Sequence, residues 1–356
     1  MILIKVYFDF QNIPLLWLNN SLLKQRRNVD MFGFEDMPEI KEELLKVNNH
    51  IERLCESNSE SMQKMMDWVL QSRGKQIRPT MTLLCSKLKN KKVDATEIAA
   101  VIEICHTASL IHDDIIDDSE ERRGQLSVQK KFGREMAVYA GDFMIFATLG
   151  RTDLRLKPWF RDMFDKLEYM CDGEVSQFDN RFNNDITEEK CIQNIIGKTS
   201  AMFEIACEAG AYEGKCNKEE REAVCKFARH FGVLFQLRDD LMDFIASSDE
   251  MEKTTQNDFW TGYYTLPAIY TFENNNYGEK LRLLAKEVKN AKNDIVLNNE
   301  ILDLIKEAGG FEHTIEKIRE NKDMAIESLN CFEDTKAKRK LIEVVNYLWE
   351  STIKAC

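Results

Sequence analysis

Residues 95–118 read ATEIAAVIEICHTASLIHDDIIDD. Apolar residues recur there at helical spacing, without Gly or Pro, so the stretch predicts one long helix. Asp94, immediately upstream, is a capping residue. The helix runs into His112-Asp113-Asp114-Ile115-Ile116-Asp117-Asp118. Positions i and i+4 share a face, so Asp113 and Asp117 project together, with Asp114 about 100° round. Negative charge at a helix C-terminus is disfavoured, so this end costs stability unless a cation relieves it. Mg²⁺, an oxygen-seeking ion that keeps waters or phosphate oxygens in its shell, is suited to that task. Taken alone, the cluster reads equally well as a solvated acidic helix end.

Outward from this helix the chain continues in kind. Only 5 Pro and 15 Gly punctuate 356 residues, too few for a many-stranded protein, and 44% of residues are apolar. Helical patterns are predicted at 39–56, 61–73, 134–150, 157–179, 187–210, 217–246, 262–275, 279–290, 299–308, 312–330 and 335–352. The expected fold class is all-α: one bundle of about ten or more helices over 39–356, preceded by an N-terminal extension, 1–38. Gly173 and Gly197 lie deep inside two of these patterns. The polar stretch 247–261 lacks periodicity and is expected to be a loop, a candidate lid.

Charge and cysteine usage narrow the function. The net charge is −12, from 61 acidic and 49 basic residues, without the basic stripe of a nucleic-acid binder. The ten cysteines form no C-x-x-C pair and are expected to be reduced and mostly buried. The N-terminal MILIKVYFDFQNIPLLWLNN is broken by Lys5 and Asp9 and is too short to span a membrane. A cytoplasmic protein without stable membrane insertion is expected.

The acidic pattern recurs in Phe235-Gln236-Leu237-Arg238-Asp239-Asp240-Leu241-Met242-Asp243, again after an apolar helical run. Two such clusters facing each other across a cavity make a site for several Mg²⁺ ions gripping one polyphosphate. Cations supply the other half. Lys75 and Arg78 stand at a helix start, where backbone N–H groups also favour an anion. Arg122-Arg123-Gly124 follows the first cluster, and Lys198-Thr199 and Lys253 precede and follow the second.

With these motifs in order, the chain resembles the trans-isoprenyl (polyprenyl) diphosphate synthases. The resemblance covers about 60–270 and rests on GKQIRP (74–79), HTASLIHDDIIDDSEERRG (106–124), AGDF (140–143), GEVSQ (173–177), KT (198–199), FQLRDDLMD (235–243) and GYYTLP (262–267). It implies that Asp113, Asp114 and Asp117 ligate Mg²⁺ on one side and Asp239 on the other, supported by Asp240 and Asp243. It places Arg122, Lys198 and Lys253 on an allylic prenyl diphosphate, and Lys75, Arg78, His106 and Arg123 on isopentenyl diphosphate. Thr199 and Gln236 would steer proton abstraction. The implied cofactor is Mg²⁺, roughly three ions with substrate bound. A homodimer is implied, with a hetero-oligomer as the alternative.

The implied reaction is ionisation, condensation and elimination. Metal and cationic side chains stabilise the departing diphosphate, the alkene attacks the allylic cation, and a proton is lost. The prenyl tail is expected to run beside the helix that ends at Asp113, where one turn rises about 5.4 Å. Ala108, Ser109 and Cys105 stand there, none bulky, which predicts a product of roughly C25 to C40. A floor supplied instead by Phe143 or Phe146 would return a C20 (geranylgeranyl) product. After Gly262 many relatives place a Lys, whereas here Tyr263 stands. Two rivals remain. A class I terpene cyclase would carry a dissimilar second metal motif, and the subunit of a heteromeric synthase need not keep both.

Overall fold

A computed structural model describes residues 37–153, 156–245, 257–288 and 295–356. The stretch 95–118 forms a helix, Thr96–Ile116, that stops two residues short of expectation, because Asp117 caps it through its N–H to the Asp113 carbonyl. Asp94 caps the start, its Oδ1 accepting from the Thr96 N–H at 2.9 Å. Three helices precede it: α1 (Pro38–Leu54), α2 (Glu60–Gln71) and α3 (Ile77–Ser86). It is therefore α4.

A two-residue hairpin follows, β1 (Glu121–Arg122) and β2 (Gln125–Leu126). It was not legible as a strand pair. Its turn residues Arg123 and Gly124 both have positive φ, 55° and 76°, the geometry that matches a twisted two-residue hairpin. Then come α5 (Val128–Phe132), α6 (Arg134–Arg151), α7 (Phe160–Asp179) and α8 (Glu188–Ile195). The single helix expected over 187–210 is interrupted. A π-helical turn, Ile196–Ser200, separates α8 from α9 (Ala201–Glu213). The remaining helices are α10 (Lys218–Ile245), α11 (Asn257–Thr261), α12 (Leu266–Glu273), α13 (Gly278–Val288), α14 (Ile295–Glu307), α15 (Gly310–Ser328) and α16 (Lys336–Ala355).

The all-α expectation holds, and one core cluster runs from Met37 to Leu348. In it α4 packs on α6, α1 and α3, while α10 packs on α15 and α9 and α3 packs on α9. Residues Ile98 to Ile104 of α4 are all buried, Glu103 among them, which accounts for its weak amphipathicity. Phe203, Phe231 and Phe235 make edge-to-face contacts at 4.9 and 5.5 Å between α9 and α10. Each such pair contributes about 0.5–1.5 kcal/mol beyond area burial. All ten cysteines are free thiols, five of them fully buried. Among the described residues no helix is long and apolar enough to cross a membrane.

Candidate active site

The ends of α4 and α10 meet one cavity of about 440 Å³. Its wall brings together Asp113, Asp117, Lys198, Thr199, Gln236 and Asp240, six residues singled out in the sequence. It also includes Glu174 of α7 and Asp258 of α11. Neither was assigned a role from sequence. Glu174 stood inside the GEVSQ motif, whereas Asp258 lay in a segment without periodicity.

Lys198 reaches the cavity because of the π turn, and that turn exists at a close helix crossing. A Cβ on Gly173 would lie 3.2 Å from the backbone of Gly197, so α7 and the π turn touch through two glycines. The contact sets Lys198 Nζ 2.9 Å from Glu174 Oε2 and 3.1 Å from Gln177 Oε1. From the same turn, Thr199 donates to Gln236 Oε1 at 2.7 Å, and Gln236 Nε2 donates to Asp240 Oδ1 at 2.8 Å.

Among the described residues negative charge exceeds positive on this wall. Burial, then the neighbouring Glu174 and Asp117, push the Asp113 carboxyl up to about 6. Burial and Asp243 push Asp258 to about 6, and burial raises Asp240 well above the carboxylate range. Burial alone would lower Lys198; Glu174, Asp113 and Asp117 override it, and its pKa is raised. Oxygen-only donors with unbalanced negative charge fit a hard divalent ion. Among the described residues no three acidic, His or Cys side chains converge closely enough to hold one unaided. Anionic ligand oxygens would complete the shell, as Mg²⁺ chemistry favours.

These shifts fix a pH dependence. Asp113 and Asp258 bind protons up to about pH 6 in the fold, against 3.8 ordinarily. Between those values the folded chain holds protons that the unfolded chain has lost, so these acids make stability fall as pH rises. A divalent ion competes with the same protons. Mg²⁺ is therefore expected to raise Tm clearly at pH 7.5 and little at pH 5.5, as thermal melts with and without metal will measure.

The other expected ligands are not among the residues that line the cavity. Asp114 is buried and accepts from Arg122 Nε at 2.8 Å, so the two neutralise each other beside the cavity instead of lining it. Asp239 pairs with Arg238 at 3.0 Å and feels the charge of Lys75. Asp243 stands close enough to Asp258 and Asp240 to raise both. Lys253 lies outside the described residues, as does most of the candidate lid, 247–261.

A second, basic cluster gathers Arg78, His106 and Arg123. Arg78 Nη1 is 2.9 Å from His106 Nε2, and its Cζ stands 4.5 Å above the Phe203 ring. Among the described residues Arg78 Nε is buried without a hydrogen-bond partner, a donor suited to an anionic ligand. Burial lowers Arg78 to about 10, still cationic, and burial with Arg78 and Arg123 holds His106 neutral. Arg123 lies against Gly74, at the space a Cβ there would need. The buried carboxyl of Glu103, one turn before His106, feels both Arg123 and Arg78. It was read in sequence as part of the helix body.

Residues 59–305 match the family model for polyprenyl synthetase. The chain is 29% identical over 298 residues to the octaprenyl diphosphate synthase of Escherichia coli (strain K12), covering 83% of this chain and 92% of that one. Among solved structures, a decaprenyl diphosphate synthase from Rhodobacter capsulatus superposes with a TM-score of 0.81 at 25% identity, covering 88% and 98% of the two chains. A polyprenyl synthase from Caulobacter crescentus CB15, complexed with calcium and isoprenyl diphosphate, has a TM-score of 0.79 at 22% identity, over 90% and 97%.

Proposed function

Because this chain belongs to the polyprenyl synthetase family, we propose that it condenses an allylic diphosphate with isopentenyl diphosphate into an all-trans polyprenyl diphosphate. The observation that carries the reading is the meeting of two acidic helix ends, with Lys198, around one cavity. The chain is a prenyltransferase, and its fold is that of the polyprenyl synthases.

Asp113 and Asp117 on one wall, and Asp240 with Asp258 on the other, would hold Mg²⁺, supported by Asp114, Asp239 and Asp243. When bound, Mg²⁺ supplies positive charge that offsets the charge growing on the leaving diphosphate. Lys198 adds a fixed cation at that point. Arg78, Arg123 and neutral His106 hold the second diphosphate, with the spare Arg78 Nε–H as a donor. The C–O bond breaks, the alkene's electrons form the new C–C bond, and a proton leaves to the released diphosphate. Thr199 and Gln236 are hydrogen-bonded to each other beside that step. No protein nucleophile is needed.

The tail is taken to run past Cys105 and Ser109, half-buried on α4, rather than Ala108, which is fully buried in its packing. Phe146 is 67% exposed, so it does not close the tunnel from within one chain, while Phe143 packs against the core. A product of roughly C25 to C40 follows. Ser109→Phe is expected to shorten it by about one or two isoprene units, read by chromatography of dephosphorylated products; an unchanged distribution counts against the ruler. Ala108→Phe, off that path, is expected mainly to cost about 1–3 kcal/mol in stability from overpacking.

A homodimer through α6 and α7 is supported by Tyr139, Phe146 and Phe164, exposed apolar side chains on those helices. A cytoplasmic location fits this reading. The whole proposal is tested by giving the purified chain Mg²⁺, labelled isopentenyl diphosphate and an allylic primer. A ladder of prenyl diphosphates supports it. Incorporation only after a partner chain is added favours the heteromeric subunit, and a hydrocarbon product favours a cyclase.

A further inference from the structure

Among the described residues, five carboxylates on the cavity wall, Asp113, Asp117, Glu174, Asp240 and Asp258, face a single lining cation, Lys198. A second cation stands one ring further out. Arg181, in the turn after α7, lies over the Tyr263 ring with Cζ 4.9 Å from its centroid, and Phe178 and Phe182 flank it at 5.6 and 5.7 Å. Its Nε and Nη2 both donate to the Thr261 carbonyl, at 3.0 and 2.7 Å. The Phe182 N–H donates to the Gly262 carbonyl at 2.8 Å. The segment that carries Asp258 and Tyr263 is thus clamped to the exit of α7, the helix that carries Glu174.

Tyr263 itself lines the cavity, close enough to Asp117, Lys198 and Glu174 to feel their charges. Burial raises the Tyr263 pKa, against the opposing charge of Arg181, so the phenol keeps its proton and its O–H is available as a donor. Three rings and a carbonyl already hold Arg181, so little ordering cost remains when a ligand arrives. We infer that Tyr263 and Arg181 form a diphosphate-holding pair, in which the Tyr263 hydroxyl donates to the bound allylic diphosphate and Arg181 positions the ring and sets positive charge behind it. The inference rests on the prenyl-transfer reading. It assigns this task to a neutral donor backed by a fixed cation, at the place where a lysine is the common choice.

The test uses full-length protein with three substitutions, Tyr263→Phe, Arg181→Ala and Arg181→Lys. KM for the allylic and isopentenyl substrates is measured separately, with calorimetric binding of inorganic pyrophosphate and Mg²⁺. Y263F is expected to raise allylic KM and weaken pyrophosphate binding about tenfold, with isopentenyl KM unmoved. R181A is expected to follow the same pattern, R181K to recover part of it, and the double variant Y263F/R181A to fall short of the product of the singles. Wild-type pyrophosphate affinity and allylic KM in Y263F would overturn the inference. Equal rises in both KM values would also overturn it, since they indicate general loosening. A wild-type chain that incorporates no isopentenyl diphosphate would instead sink the underlying reading.

Discussion

Asp113→Asn is expected to cut turnover by roughly 10³-fold while leaving the chain fully folded. Asp113 stands on the cavity wall with its carboxyl pushed up to about 6 by burial and by Glu174 and Asp117. Its charge is therefore a burden on the metal-free protein at neutral pH, and asparagine removes the burden together with the metal ligand. The metal-free variant should melt no lower than wild type, and its Mg²⁺-induced rise in Tm should shrink. Asp114→Asn gives the contrasting result. It takes the charged partner from Arg122, whose side chain is 37% exposed and stays solvated, so the cost is that of a lost charged hydrogen bond, about 1–3 kcal/mol. Asp114→Asn should lower Tm with or without metal. Single-turnover rates and melts of the two variants side by side distinguish a ligand from a supporting residue.

Gly173→Val is expected to damage the site although it lies away from the charged groups. The backbones of α7 and the π turn touch at Gly173 and Gly197, where one methyl already meets atoms at 3.2 Å. A methyl group demands a shift of a few tenths of an ångström, and a branched side chain demands more. Overpacking of this kind costs about 1–3 kcal/mol. The functional loss should exceed the stability loss. Separating α7 from the π turn parts Glu174 from Lys198, now 2.9 Å apart, and moves Lys198 from Asp113. A drop of about 10²-fold in kcat is expected, because small misplacements at a charged site carry rate effects of that size. Gly173→Ala should fall between the two, as kinetics alongside thermal melts will measure.

The fold was legible because its governing signals are local. The helical spacing of 95–118, its cap at Asp94 and the scarcity of Gly and Pro lead directly to an all-α bundle. Where the reading failed, tertiary contact decided. The pattern over 187–210 is helical throughout, yet close approach of Gly173 to Gly197 accompanies a π turn at 196–200 that spacing alone does not announce. The hairpin at 121–126 is too short to show alternation, and only its Arg123-Gly124 turn gave a local cue. In the site, Asp113 and Asp117 were readable because i and i+4 share a face. That Asp114 turns to Arg122 depends on a hairpin eight residues on. Asp258 and the Arg181–Tyr263 stack join segments about eighty residues apart, and no local pattern encodes such a meeting.

In the proposed reaction the ends of α4 and α10 grip one diphosphate through shared metal ions. A crystal of the full chain grown with Mn²⁺ in place of Mg²⁺, and with a non-ionisable allylic thiodiphosphate, tests it most directly by anomalous scattering. The expected result is manganese between the diphosphate oxygens and Asp113 and Asp117 on one side, with further manganese on the side of Asp240 and Asp258. Manganese on only one wall, or a diphosphate seated away from Lys198, would contradict it.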